Sequence, residues 1–281
     1  MFGVVIVYHP HTQLLIENIS TYLPLLDSLL VYDNSESPNS DLAKQLNLLD
    51  PKIKYQYFGE NGGIAQRLNQ AIAFAKEQGA DYLLTMDQDS SFQPGDFEKY
   101  KARILQNTEA AIAQFGVNCQ PEFTRPQSTP VKVTSLITSG SVLQLKYLSQ
   151  IGTFDESLFI DFVDTAFCYL ITNSGFANLQ YTDILLNHSI GTRVAGRSLL
   201  TFKKSMRIIH SPIRVYYILR NGLYLLYRQK GLTAIQRQDV KRSMMIVKND
   251  FLYHPAMGQV YYYAFLGIKD FLMHKMGKRS L

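Results

Sequence analysis

The chain is 281 residues long, with 46% hydrophobic and 18% charged side chains and with glycine and proline scattered through it. Such a composition is globular and excludes disordered, collagen-like and repeat-array proteins, and the length suits one large domain or a domain with a substantial extension. The net charge of +5 conceals two opposite parts: residues 1–196 hold 12 basic and 20 acidic side chains, a balance of −8, and residues 197–281 hold 16 and 3, a balance of +13.

Residues 2–8 (FGVVIVY) form a β-branched apolar run suited to a buried strand, and Leu14, Leu15, Ile19 and Leu23 mark a helix after it. A second strand over 29–32 runs into Asp33-Asn34-Ser35. A polar helix over 41–49, a strand over 53–58 and a glycine turn at 59–63 follow. Ile64, Leu68, Ile72 and Ala75 share one face of a helix ending at Gly79, and the strand over 82–86 runs into Asp87-Gln88-Asp89. Alternating strands and helices predict an α/β fold, a mostly parallel sheet flanked by helices. Ligands of such sheets bind beyond the carboxyl ends of the strands, where Asp33 and Asp87 both fall.

Residues 117–130 read as a loop, 131–143 as a strand, and 164–173 as a helix ended by Gly175. Beyond Gly196 the pattern predicts helices: one bracketed by Ser211-Pro212 and Gly231, one over 234–252 and one between Pro255 and Gly277. The sequence therefore divides into an α/β domain over 1–196 and a basic, tyrosine-rich helical extension over 197–281. Its longest apolar run, nine residues at 260–268, is too short to span a bilayer, and MFGVVIVYHP lacks the features of a signal peptide. A cytoplasmic protein is expected. Cys119 and Cys168 have no neighbours at ligand spacing, so two reduced structural cysteines are expected.

Asp87 and Asp89, one residue apart after an apolar strand, can converge on one hard cation such as Mg²⁺ or Mn²⁺, which would bridge to substrate phosphates. A solvated loop has the same pattern. Asp33 and Asn34 could hydrogen-bond a base or ribose or simply make a turn. The stretch Gly59–Arg67 could cradle an anion at the head of a helix or be a tight turn; it lacks the Gly-Lys-Ser/Thr ending of a Walker loop. Asp164, and after it Asp161, could serve as a general base, or cap a helix. His188 is either structural or a ligand brought beside the aspartate pair by the fold.

Taken in order, VVIVYHP, VYDNSES, ENGGIAQRLNQAI, MDQDSSF, SGSVLQLKYLSQIGTFDESLFIDFVDTAFC and NHSIGTR resemble family-2 nucleotide-sugar glycosyltransferases, most closely bacterial rhamnosyltransferases, over about residues 2–230. The resemblance implies a GT-A fold, a nucleotide-diphosphate sugar donor and a divalent metal, Mg²⁺ or Mn²⁺. It places Asp33, Asn34, Asn61, Gly62, Asp87, Ser139 and Gly140 at the donor and Asp87, Asp89 and His188 at the metal. Asp164 becomes the base of an inverting reaction, with Asp161 and Arg193 as secondary or acceptor candidates. The implied reaction moves L-rhamnose from dTDP-rhamnose to a saccharide or lipid-linked saccharide acceptor in cell-surface polysaccharide synthesis. A UDP-hexose or galactofuranose donor is the same-class alternative. Where the subgroup often has Glu and Arg, this chain has Ala166 and Leu170, which leaves open a nucleotide-sugar-binding protein without transfer activity. The basic extension suits an anionic membrane surface or a homo-oligomer contact. Nucleic acid is not expected, because the only recognisable site lies in the acidic part.

Overall fold

Every residue from Gly3 to Val7 is buried, which places this β-branched run inside a sheet rather than at its edge. The computed structural model describes residues 1–119, 124–188, 192–197 and 204–279; the side chains of residues 192 and 193 lie outside the described set. It divides into two compact units, the first Met1–Glu156 with Asp164–Ser189, the second Ser157–Val163 with Ile190–Leu281.

In the first unit β1 (Phe2–Val7), α1 (Thr12–Ser20), β2 (Ser28–Asp33), α2 (Ser40–Leu49), β3 (Ile53–Tyr57), α3 (Ile64–Glu77) and β4 (Tyr82–Asp87) alternate as the apolar periodicity predicts. There follow β5 (Ser91–Phe92), α4 (Asp96–Gln106), β6 (Ile112–Asn118), β7 (Val131–Val133), β8 (Ser141–Gln144), α5 (Leu148–Ile151), α6 (Val163–Asn173) and β9 (Ala177–Asn187). The sheet order is β3-β2-β1-β4-β8-β6-β9-β5, with β7 paired to β9. Strands β3, β2, β1 and β4 are parallel, and so is the β6–β9 pair, whereas β8 runs antiparallel to both β4 and β6. Strands β1, β2 and β4 end together, Val7 opposite Asp33 and Ile6 opposite Asp87, so both aspartates sit at one edge of the parallel half.

Several expectations need correction. The strand expected over 131–143 is two short strands with different partners, β7 paired to β9 and β8 lying between β4 and β6, and Gly140 at φ +75° makes the turn into the second. The helix expected over 234–252 is interrupted by a 3₁₀ turn at Met245–Val247. The extension is not wholly helical: β10 (Thr192–Arg197) and β11 (Lys204–Ile209) pair antiparallel. Cys119 and Cys168 are both reduced, as expected, and burial pushes the Cys168 thiol up to about 12.

The second unit continues with α7 (Pro212–Tyr227), α8 (Ala234–Met244), α9 (Lys248–Tyr253) and α10 (Met257–Leu272). Proline at the first position of α7 gives up an amide that has no helical partner there, and Thr233 with Gln236 makes a capping box on α8. Among the described residues no helix is long and apolar enough to cross a membrane. Helices α7 and α10 pack closely at Gly267, where a Cβ would lie 2.6 Å from the Tyr216 carbonyl oxygen. Backbone on that side cannot give way as a side chain could. Gly267→Ala is therefore expected to destabilise the protein by about 1–2 kcal/mol, the overpacking outweighing the gain in helix propensity of about 1 kcal/mol. The denaturation midpoint checks this, and a rise would mean that the helices separate freely.

Candidate active site

Asp87 is the last residue of β4, and Asp89 lies in the turn that follows, closed by Ser90 N–H donating to the Asp87 carbonyl at 3.3 Å. The two carboxylates therefore converge through a turn rather than along an extended strand. Ser139 fixes the approach: its hydroxyl accepts from Asp87 N–H at 3.1 Å, and Gly140 N–H donates to the Thr85 carbonyl at 2.9 Å. On the other side, Tyr8 N–H donates to Gln88 Oε1 at 2.7 Å and Asn18 Nδ2 donates to the Gln88 carbonyl at 3.0 Å, so the residue between the aspartates is anchored to its surroundings.

His188 arrives from the far end of the sequence. Strand β9 pairs with β5 as Ser91 opposite Asn187, which carries the next residue, His188, to Ser90. Its Nδ1 lies 2.9 Å from Ser90 Oγ, 3.6 Å from Asp89 Oδ1 and 4.0 Å from Asp87 Oδ2. One ligand atom from each of Asp87, Asp89 and His188 can be chosen so that all lie within 4.8 Å of one another. Ligands of an octahedral cation at about 2.1 Å are about 3–4 Å apart, so this group could hold a divalent cation if its side chains drew closer together. With the ring proton on Nε2, Nδ1 carries the lone pair a metal would take. Tyr22 is fully buried nearby; burial, and then the Asp87 charge, raises its hydroxyl well above the ordinary phenol range and keeps it protonated.

At the end of β2, Asp33 is wholly buried, its carboxylate accepting from Ser35 N–H at 2.9 Å and from the Tyr55 hydroxyl at 2.6 Å. Burial, reinforced by this bond to Asp33, raises the Tyr55 phenol. Asn34 uses its whole amide: Nδ2 donates to Asn61 Oδ1 and the Gly63 carbonyl, and Oδ1 accepts from Gly62 N–H and from Arg67 Nε at 2.8 Å. Asn34, Asn61 and Gly62 are thus brought together, and their polar groups hold the glycine turn to the head of α3. Arg67, which the sequence reading passes over, is almost fully buried and lies 3.7 Å over the Phe58 ring; desolvation lowers its pKa. An arginine on an otherwise apolar helix face is the signal that marks it.

Asp164 stands in the first turn of α6, where the helix dipole favours a carboxylate, and accepts from Thr165 N–H at 2.7 Å. It is not part of the Asp87–Asp89–His188 group. Ala166 is buried within the same helix. Asp161 belongs to the second unit and forms an ion pair with Arg214 at 2.5 Å, so its carboxylate is already engaged. The Arg193 side chain lies outside the described residues.

Residues 13–166 match the family described as glycosyl transferase family 2. The chain belongs to that family. It is 29% identical over 270 residues to the dTDP-rhamnosyl transferase RfbF of Shigella flexneri, an alignment covering 87% of this chain and 86% of that protein. Among solved structures it resembles the mannosyltransferase PcManGT of Pyrobaculum calidifontis, in complex with GDP-Man and Mn²⁺, with a TM-score of 0.58 and 11% identity over 100% of this chain and 76% of that one. It also resembles GalNAc-T7 with UDP, GalNAc and Mn²⁺, with a TM-score of 0.58 and 9% identity over 90% of this chain, and spans 57% of that chain. For S. aureus TarS 1–349 with UDP-GlcNAc the TM-score is 0.55, at 14% identity over 98% of this chain and 81% of that one. At these identities the likeness is one of fold, and the glycosyltransferase has the GT-A architecture.

Two outcomes follow from the geometry. Asn34→Ala leaves Gly62 N–H and the buried Arg67 guanidinium short of an acceptor and is expected to cost about 2–4 kcal/mol in chemical denaturation. Asp89→Asn removes a charge from the group that could hold a metal and is expected to weaken Mn²⁺ binding in calorimetry about tenfold or more with the fold unchanged. Wild-type affinity would locate the metal elsewhere.

Proposed function

We propose that this glycosyltransferase inverts configuration while moving L-rhamnose from dTDP-rhamnose to a saccharide or lipid-linked saccharide acceptor, in the synthesis of a cell-surface polysaccharide. The observation that carries the choice of donor is the similarity to a dTDP-rhamnosyl transferase, which extends over nearly the whole length of both chains. Asp87, Asp89 and His188 would hold Mg²⁺ or Mn²⁺. When bound, the ion supplies charge stabilisation for the departing nucleoside diphosphate.

The remaining roles belong to the chain's own residues. Asp164 takes the proton of the acceptor hydroxyl, which is a poor nucleophile until it is deprotonated. Its place in the first turn of α6 favours the ionised carboxylate, the form a base requires. Asp33 contributes to the donor-base side through the end of β2, while Asn34 and Asn61, joined by one hydrogen bond, act by accepting from the Gly62 and Gly63 amides and so holding the turn in place. Ser139 and Gly140 border the sugar side, Ser139 holding the backbone amide of Asp87 and Gly140 bonding the Thr85 carbonyl two residues before it. Arg193 is proposed for the acceptor side; Asp161, tied to Arg214, is proposed as a support for its own segment. The enzyme would work at the cytoplasmic face of the cell membrane as a peripheral protein.

Asp164→Asn should lower kcat for rhamnosyl transfer by about a hundredfold to ten-thousandfold while leaving dTDP binding, read as a thermal shift with Mn²⁺, as in the wild type. Wild-type turnover in the variant would remove Asp164 from the mechanism. A larger shift with UDP than with dTDP would move the donor to the UDP-hexose or galactofuranose class, and release of nucleoside diphosphate without product would return weight to the consequences of Ala166 and Leu170.

A further inference from the structure

Helix α10 has two apolar faces, and the second unit covers only one. Val260, Ala264, Gly267 and Phe271 are buried, Gly267 against the backbone of Tyr216. At 100° per residue, Tyr261, Phe265, Ile268 and Leu272 fall within an arc of about 60° on the other side. Tyr261, Phe265 and Leu272 are 57%, 63% and 65% exposed, and Tyr262 stands exposed beside them. A row of large apolar side chains this continuous differs from the isolated exposed residues of an ordinary soluble surface.

The exposed charges on this helix and just beyond its end have one sign. Lys269 is exposed on the same side of the helix, and Lys275 and Lys278 are exposed just beyond its end. Together with His274 and Arg279, these lysines line an open cavity of ≈ 590 Å³. The acid at this end, Asp270, is buried and engaged by the Tyr216 hydroxyl at 2.9 Å and by Arg279 at 2.5 Å. A second copy would offer no anionic partner for the exposed lysines at the end of the helix, and nucleic acid offers no apolar partner for Phe265 and Leu272. An anionic bilayer satisfies both halves of the pattern.

We infer that α10 is a membrane-docking face, with Tyr261, Phe265, Ile268 and Leu272 entering the acyl boundary of an anionic bilayer and Lys269, Lys275 and Lys278 meeting lipid phosphates. The helix lies in the plane of the interface: its 16 residues reach about 24 Å, against about 30 Å of hydrocarbon. The Lys269 stem packs along the apolar row while its ammonium reaches the headgroups, and the tyrosine hydroxyls remain at the wet boundary. The inference deepens the membrane partner named in the proposed function, but its readout needs no turnover, so it can fail or stand apart from the choice of donor.

The test is cosedimentation of the full chain with phosphatidylcholine vesicles containing about 30% phosphatidylglycerol, compared with phosphatidylcholine alone, at low and high salt. The wild type is expected to prefer the anionic vesicles at least about tenfold and to lose the preference as salt rises. Phe265→Ser with Leu272→Ser should weaken binding about tenfold or more, and Lys269→Gln with Lys275→Gln and Lys278→Gln about a hundredfold. All five residues are exposed, so thermal midpoints and dTDP binding should remain those of the wild type. Equal binding to neutral vesicles at low salt, or variants that bind like the wild type, would overturn the inference. So would light scattering that finds a wild-type dimer and a Phe265→Ser monomer without vesicle binding, because the face would then join two copies.

Discussion

The amide of Asn34 ties together three segments that the chain brings in from separate elements. Its oxygen accepts from the turn at Gly62 and from Arg67 on α3, and its nitrogen donates to Asn61 and Gly63. Because every lone pair and proton is used, the amide admits one orientation, and the turn is held at the carboxyl edge of the parallel strands. Arg67 depends on the same acceptor, since a guanidinium buried to this degree is costly unless its donors are met. The edge that carries Asp33 and Asp87 is therefore set by polar satisfaction as much as by strand packing.

Much of this edge is legible in the sequence. The parallel half has apolar runs of strand length broken by helices of clear 3.6 periodicity, and Asp33 and Asp87 mark where the runs stop. The arrival of His188 is not legible from spacing, because it is 98 residues from Ser90 and depends on the β5–β9 register; resemblance alone places it near the metal. Strand β6 escapes the periodicity because Gln114 and Asn118 interrupt it, and only the folded state supplies their partners, Ser141 Oγ and the Thr182 carbonyl. The β10–β11 hairpin is hidden for another reason: its alternation is written in arginines, lysines and small residues rather than in apolar ones. The 3₁₀ turn inside 234–252 has neither glycine nor proline to announce it.

In the second unit, side chains of α7 also maintain an unusual backbone. Phe159, Asp161 and Phe162 adopt positive φ angles of 66°, 58° and 65°, a region that costs non-glycine residues about 1 kcal/mol or more each. The Asn221 amide donates to the carbonyls of Leu158, Ile160 and Asp161, and Arg220 donates to those of Ser157 and Leu158. Arg214 adds the ion pair to Asp161, and Phe159 stacks on Tyr217. Together these contacts oppose the backbone strain, and they explain why a stretch of seven residues is grouped with the second unit although the chain on both sides of it belongs to the first.

This arrangement bears on the order in which the molecule can take shape. The partners of residues 158–161 are made about 60 residues later, so during synthesis the segment must wait, unanchored, until α7 has emerged, a non-local closure of the kind that slows folding. A chimera joining residues 1–189 to an unrelated tail would inherit the left-handed stretch without the amide and guanidinium that hold it. The modular boundary of this enzyme is therefore not a single cut point. An exchange of tails that respects the fold must transplant the residues of α7 with it, or relieve residues 159–162 with glycine.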